Sequence, residues 1–231
     1  MTSESLQLLL DRLNQNETSS FLMFSKSLSS SVDFAKIWIE KPKVTDNVSS
    51  YDGPDYFYLI KNDQNIFVAV VFDMRRDLHW YVHSGYRGKG YLTKAMRATI
   101  IPHLFLSRSE QRITIKEDKI GLDNFKASEK VAYSLGFLKK EEGEYLLNAN
   151  NISEQCILQK DRALSENRIN ELKKYINFLS RSLWTVQTEI EMSYGETDYS
   201  DELKDLVKEI RDHTWKLDDF YWKSKAEEIE N

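Results

Sequence analysis

Between Leu78 and Phe105 the chain reads LHWYVHSGYRGKGYLTKAMRATIIPHLF. It opens as an aromatic-rich strand (Leu78, Trp80, Tyr81, Val82) and crosses a turn spaced by glycine, Gly85-Tyr-Arg-Gly-Lys-Gly90. A helical period follows, with Leu92, Met96, Thr99/Ile100 and His103/Leu104 recurring at three- and four-residue steps. A strand, a glycine turn and a helix start together present unpaired backbone N–H groups and the positive end of a helix dipole. Glycine lets a ligand approach the backbone, and Arg87 and Lys89 add positive charge at the same place. Such a turn is suited to holding a phosphate or pyrophosphate. The plain alternative is a solvated basic turn between a strand and a helix.

Two common phosphate loops do not fit. A Walker A loop needs Gly-x-x-x-x-Gly-Lys-Ser/Thr, but Gly90 follows Lys89, and His83 stands five residues before Gly88. The dinucleotide fingerprint needs Gly-x-Gly-x-x-Gly, and here the spacing is reversed, Gly85-x-x-Gly88-x-Gly90. The stretch instead resembles the acyl-CoA loop of the GNAT N-acetyltransferases. Their pattern is Arg/Gln-x-x-Gly-x-Gly/Ala directly after a strand, met here by Arg87, Gly90 and Leu92. The wording Tyr-Val-His-x-x-Tyr-Arg-Gly-Lys-Gly-Tyr is closest to the branch containing ribosomal-protein N-terminal acetyltransferases. Leu92 departs from the usual small residue.

A second, collinear match lies downstream. In the family an asparagine, a small or hydroxyl residue and a helix ending in Leu-Gly-Phe complete the CoA site. Asn124, Ser128 and Leu135-Gly136-Phe137 resemble these, although Asn124 and Ser128 are four apart where three is the commoner spacing.

The resemblance implies an α+β fold of GNAT type, with a mostly antiparallel central sheet flanked by helices. It also implies acetyl-CoA as co-substrate, no metal, and an amine-bearing acceptor: a protein N-terminus, a lysine or a small amine. N–H groups of Arg87, Gly88, Lys89, Gly90, Tyr91 and Leu92 would hold the pyrophosphate, with the Thr93 hydroxyl beside them. Val82 and His83 would pair with the pantetheine arm. Many members place a tyrosine four residues before the glycine of Leu-Gly-Phe as general acid. Here that position is Ala132, and Tyr133 lies one residue later, a rotation of about 100° on a helix. Tyr133 and Ser128 stand as alternative acids. For a base, His79, Tyr81 and His83 alternate onto one face of the strand, and a histidine there can work near neutral pH. Half-buried structural roles compete for each. A CoA-binding protein without turnover, acting as an interaction module, is the rival function.

The composition sets outer bounds. At 231 residues the chain has room for a sizeable domain and an extension. Its one cysteine, Cys156, excludes an internal disulfide and a zinc site built from several cysteines. Residues 161–231 hold 11 Lys+Arg and 17 Asp+Glu, net −6, which leaves +1 for residues 1–160. Neither part is basic enough to point to nucleic acid. The start, MTSESLQLLLDRLNQ, lacks the pattern of a secretory signal, and the run Ile66 to Phe72 is too short to cross a bilayer. These features lead us to expect a cytoplasmic protein.

The elements that must position these groups follow from pattern. A helix is expected over residues 4–14, a short strand at Phe21 to Phe24 and a helix from Val32 to Glu40. Strands are expected at Tyr56 to Ile60, Ile66 to Met74 and Arg112 to Lys116. Next comes a helix that puts Ala127, Val131 and Leu135 on one face and ends at Gly136. Strands at Phe137 to Lys140 and Glu144 to Asn148 complete the core, with Ile157 and Leu158 as a further candidate. We expect residues 1–160 to form the acyl-CoA-binding domain and residues 161–231 a helical hairpin. In the latter, Ile169, Leu172, Ile176, Leu179, Leu183, Val186 and Ile190 keep an alternating three–four spacing. Leu203, Leu206, Ile210, Leu217 and Phe220 form its second stripe. The hairpin buries these stripes on itself or offers a surface, with Trp184, Trp215, Tyr221 and Trp222, to a second copy or a protein partner.

Overall fold

Strands rich in β-branched and aromatic residues, apolar on both sides, need cover on both faces. The computed structural model, which describes residues 1–17, 19, 21–50, 52–151 and 163–230, supplies that cover. Strands β1 (Leu22–Ser29), β2 (Val32–Trp38), β3 (Asp55–Lys61), β4 (Phe67–Asp73) and β5 (Leu78–Val82) form one antiparallel sheet in chain order. Helix α1 (Ser3–Asn14), capped by the Thr2 side chain, lays Leu6, Leu9, Leu10 and Leu13 on one face, against Ile37, Phe57 and Val70. Each fully buried leucine contributes about 1.5–3 kcal/mol. The Asn14 amide fixes the register of this packing, donating to Phe67 O and accepting from Phe67 N, both at 2.9 Å.

The other face is covered by a helix that starts at the glycine turn. It consists of α2 (Tyr91–Ala95), a π turn (Met96–Ile100) and α3 (Ile101–Leu104). Pro102 has no N–H to give to the turn before it, and the widened turn lies directly N-terminal to it. Leu92, Met96, Ile100 and Leu104 pack on Val32, Tyr58 and Val71 of the sheet.

A second antiparallel sheet has the order β6-β8-β7, from β6 (Glu110–Thr114), β7 (Leu138–Glu141) and β8 (Glu144–Asn148). Helices α4 (Glu117–Ile120) and α5 (Leu122–Ser134) lie between β6 and β7 in the chain. Ala132, Leu135, Phe137 and Tyr145 bring this layer into the core that α2 and α3 share.

Side chains join the two sheets at one corner. Thr114 N–H donates to Asp77 Oδ1 at 2.9 Å, where β6 ends and β5 is about to begin. Arg108 grips Asp73 through two bonds of 3.1 and 2.8 Å, and also donates to Arg75 O and to Gln111. Asp73 is only 5% exposed. Its Oδ1 also accepts from Arg75 N, pinning Arg75 in the left-handed region at φ 66°.

Residues 161–231 lie in a separate compact unit, Asp161–Asn231, the first unit being Met1–Lys160. Its helices α6 (Glu166–Tyr194) and α7 (Asp198–Glu230) pack as an antiparallel hairpin. Ser165 caps α6, Gly195 ends it, and Thr197 and Ser200 exchange side-chain-to-backbone bonds at the start of α7.

Three expectations need correction. Residues 32–38 of the expected helix at 32–40 are strand, because VDFAKIW has partners on both sides, β1 and β3. Ala127 is exposed, while Val131 and Leu135 face the core as expected, joined by Phe125 and Ala132. In the hairpin, the seam keeps Ile169, Ile176, Leu183 and Ile190 but passes through Lys173, Ser180 and Gln187. Leu172 is only half-buried, and Leu179 and Val186 are left outside. On α7 Val207 and Tyr221 occupy the seam where Leu206 and Phe220 were expected. The seam tolerates polar groups because they find partners: Ser180 Oγ donates to Val207 O at 2.8 Å, and Lys173 pairs with Asp218 at 2.8 Å. The expected strand at Ile157 and Leu158 lies outside the described residues.

Removing one partner of a buried ion pair leaves the other charge unpaired. Arg108→Ala is therefore expected to lower unfolding free energy by about 3–5 kcal/mol, read from the urea midpoint. A loss below about 1 kcal/mol would mean that the corner does not depend on Arg108.

Candidate functional site

The glycine turn is built outward from β5. His83 N–H continues the β4 ladder by donating to Val68 O at 3.0 Å, while its Nδ1 accepts from Gly85 N at 3.4 Å. A single 3₁₀ turn, Ser84–Tyr86, leads to Gly88 and Gly90 at φ 72° and 78°, a region that glycine enters without penalty. Gly90 caps α2 with no side-chain bond. The first N–H groups of the helix therefore have no partner within it. A Cβ built on Gly88 or Gly90 would meet nothing within 4 Å, so the space before the turn is open. The Leu92 side chain points away, into the core at 6% exposure. That explains how a large residue is accepted where a small one is usual. Thr93 is half-buried and Lys89 exposed, with Lys89 Nζ 5.0 Å from the Tyr86 ring centre. The Tyr86 ring also meets Tyr91 edge-on at 6.2 Å.

Tertiary folding brings the two sequence motifs together. Arg87 Nε donates to Val82 O at 3.1 Å, and its Nη1 donates to Asn124 Oδ1 at 3.4 Å. Asn124 is in turn oriented by its own bond to Ile120 O at 2.9 Å. Arg87 thus spans from the end of β5 to the first turns of α5. On its outer side β5 has no strand partner among the described residues, since it ends its sheet. Ser128 follows Asn124 by one helical turn and is half-buried.

Of the acid and base candidates, His83 belongs to the turn itself and Ser128 lies one helical turn from Asn124, whereas Tyr133, Tyr81 and His79 are placed apart from it. Tyr133 is 49% exposed and donates to Glu129 Oε1 at 3.3 Å, with its ring against Tyr145 at 5.7 Å. Nine residues of helix separate it from Asn124, about 13 Å along the axis. The same Glu129 oxygen accepts from the buried Tyr145 hydroxyl at 2.6 Å. Burial, and then that bond to Glu129, push the Tyr145 phenol well above its ordinary range. Tyr81 is buried in the α1 cluster, and burial raises its phenol too. His79 is half-buried on the same face of β5. Burial lowers its pKa, against a backbone hydrogen bond with Met1 that raises it, so the imidazole is neutral at neutral pH.

Sequence reasoning missed Glu129, Tyr145, Asp73, Asp77 and Arg108. Glu129 and Tyr133 are four apart on a helix, a legible spacing. The others act across the fold and carry no local signal. Among the described residues no cluster of three or more His, Cys, Asp or Glu side chains could hold a metal ion. No described helix is long and apolar enough to cross a membrane.

The depressed His79 pKa makes stability depend on pH. Below the ordinary histidine value of about 6.5 the unfolded chain takes up a proton that the folded chain resists, so stability falls as pH falls. Urea unfolding between about pH 5 and pH 7 should show this slope, and His79→Gln should flatten it. An unchanged slope in the variant would assign the dependence to other groups.

No protein-family model matches the chain, and no curated protein matches it. Among solved structures it is similar to a cAMP-binding acyltransferase from Mycobacterium smegmatis, at TM-score 0.34 and 11% identity over 64% of this chain. A mutant of that enzyme gives TM-score 0.33 at 11% identity over the same share. The alignment spans 55% of the length of that protein. Likeness at this level carries no functional information.

Proposed function

We propose that residues 1–160 bind acetyl-CoA and transfer its acetyl group to a primary amine, as the resemblance to the GNAT acetyltransferases implies. The observation that carries this reading is Arg87, which ties the glycine turn and the edge of β5 to Asn124. Two stretches that resemble halves of one CoA site meet through a single side chain. The open space before Gly88 and Gly90 supports it as well, since a pyrophosphate needs close approach to backbone there.

In this reading the N–H groups from Arg87 to Leu92 hold the pyrophosphate, with Lys89 and the Thr93 hydroxyl adding a charge and a donor. The outer edge of β5 at Val82 receives the pantetheine amides as a further strand would be received; His83, expected to share this role, gives its N–H to Val68 O and its carbonyl to Tyr86 N–H instead. Arg87 Nε gives up its bond to Val82 O when that happens. A backbone N–H at the end of β5 stabilises the oxyanion formed as the amine nitrogen attacks the thioester carbon. The C–N bond forms, the C–S bond breaks, and a proton passes from the amine to the departing thiolate. Holding both reactants in one cleft supplies much of the rate. The amine must first lose a proton, its pKa being about 8 at a chain N-terminus and about 10.4 on lysine. Burial lowers the His79 pKa, which favours the proton-accepting form, but its face of β5 packs on α1; Ser128, one helical turn from Asn124, is the candidate nearer the Arg87 tie.

A second reading, CoA binding without turnover, is favoured by Tyr133, whose hydroxyl is given to Glu129. Acetyl-CoA binding with no transfer to a broad panel of amines would select it.

Calorimetric titration with acetyl-CoA, desulfo-CoA and NADH tests the site itself. The expected result is micromolar binding of the two CoA compounds and none of NADH; failure of CoA to bind would overturn both readings. Gly90→Ala adds backbone strain of about 1–2 kcal/mol and puts a methyl group where the pyrophosphate would lie. It should weaken CoA binding at least about tenfold while the chain stays folded by circular dichroism.

A further inference from the structure

The hairpin has more apolar surface than its own seam uses. In heptad terms, Lys173, Ser180 and Gln187 are the a positions of α6, and Ile169, Ile176, Leu183 and Ile190 its d positions. On α7, Val207 and Tyr221 are a positions, and Leu203, Ile210 and Leu217 are d. The g row beside this seam is then Leu172, Leu179 and Val186 on α6, and Tyr199, Leu206, His213 and Phe220 on α7. In an antiparallel pair the g rows of both helices border the same side of the seam, so these residues make one face. Leu179 and Leu206 are each 43% exposed, Val186 47% and Phe220 67%. A continuous apolar face of this kind marks an association surface.

We propose that this face binds the same face of a second copy of the chain, giving an antiparallel four-helix bundle. Charge selects the occupant. The c positions that rim the face carry Glu189 and Glu202 toward the turn of the hairpin, and Arg168 and Lys216 toward its open end. A second hairpin laid on it in the opposite direction sets acidic rim on basic rim.

Both helices specify the same two-fold axis. On α6, placing Arg168 against Glu189 of the second copy centres the axis between Phe178 and Leu179 and brings Leu172 within one residue of level with Val186, about 1.5 Å along the axis. On α7, placing Glu202 against Lys216 puts the axis at Glu209 and brings Tyr199 and Leu206 within one residue of level with Phe220 and His213, respectively. Within one hairpin these centres are already opposite, because Ser180 bonds Val207 and two steps along each antiparallel helix lead to Phe178 and Glu209. An axis drawn independently on each helix thus falls at one level, as an isologous dimer requires. The one unfavourable meeting is Glu209 with its own copy.

Sedimentation equilibrium on the full chain tests this. The expected species is a dimer of twice 27.2 kDa. Leu179→Glu, at an exposed position outside the seam, should raise the dissociation constant at least about tenfold. Trp184→Glu, on the opposite flank, should leave it within about twofold. Glu202→Lys should weaken the dimer and Lys216→Glu in the same chain should restore it, while Glu209→Gln should tighten it. A chain that stays monomeric up to about 100 µM would overturn the proposal and assign the face to another occupant. A dimer dissolved by Trp184→Glu but not by Leu179→Glu, or a double charge reversal that fails to restore association, would overturn it as well.

Discussion

The Arg108 guanidinium, clamped on Asp73 at the corner where two sheets meet, is the constraint on which the rest of the first unit depends. Among the described residues the sheets share no backbone ladder, so their relation is set by side chains. A carboxylate as buried as Asp73 is stable only with its charge answered and its lone pairs used, and Arg108 with Arg75 N–H meets both demands. Because the joint is confined to the start of β5, the far end of that strand has no neighbour on its outer side. The glycine turn lies beyond that open end. The open space in front of Gly88 and Gly90 lies beyond that end.

Across that open end Arg87 does locally what Arg108 does at the corner. It reaches a carbonyl of β5 and an amide of α5, and neither bond saturates the guanidinium, which has five N–H donors. Such a group can exchange a carbonyl for a phosphate without losing its place. The arrangement is preorganised on the protein side by His83, Gly88 and Gly90, whose backbone conformations are set before anything binds. The tyrosine pair behind α5 is a different case. Tyr133 and Tyr145 share one Glu129 oxygen, which stabilises the contact between α5 and β8 and leaves the Tyr133 hydroxyl engaged.

The hairpin distributes its residues against simple expectation, with polar side chains inside and leucines outside. An apolar stripe three to four residues apart is wider than one seam, and two helices can meet along either edge of it. Paired polar groups at Lys173 and Ser180 make one edge workable, and the other edge remains as surface.

Element types were largely legible from the sequence because they rest on local periodicity. The helix at residues 4–14, the hairpin of β3 and β4, the helix after Gly90 and the long C-terminal pair are all present. The strand at 32–38 was not, since VDFAKIW carries apolar residues at both helical and strand spacing, and only pairing with β1 and β3 decides between them. In the candidate site, the glycine spacing singled out Arg87 and Gly90, because turn chemistry and helix capping depend on neighbours in the chain, whereas Asn124 came from the resemblance of the downstream helix. The tie from Arg87 to Asn124, the Asp73–Arg108 corner, the burial that lowers the His79 pKa and the capture of Tyr133 by Glu129 belong to the tertiary structure. Apart from the last, each joins groups distant along the chain, and their strength comes from exclusion of water, which no stretch of sequence specifies alone.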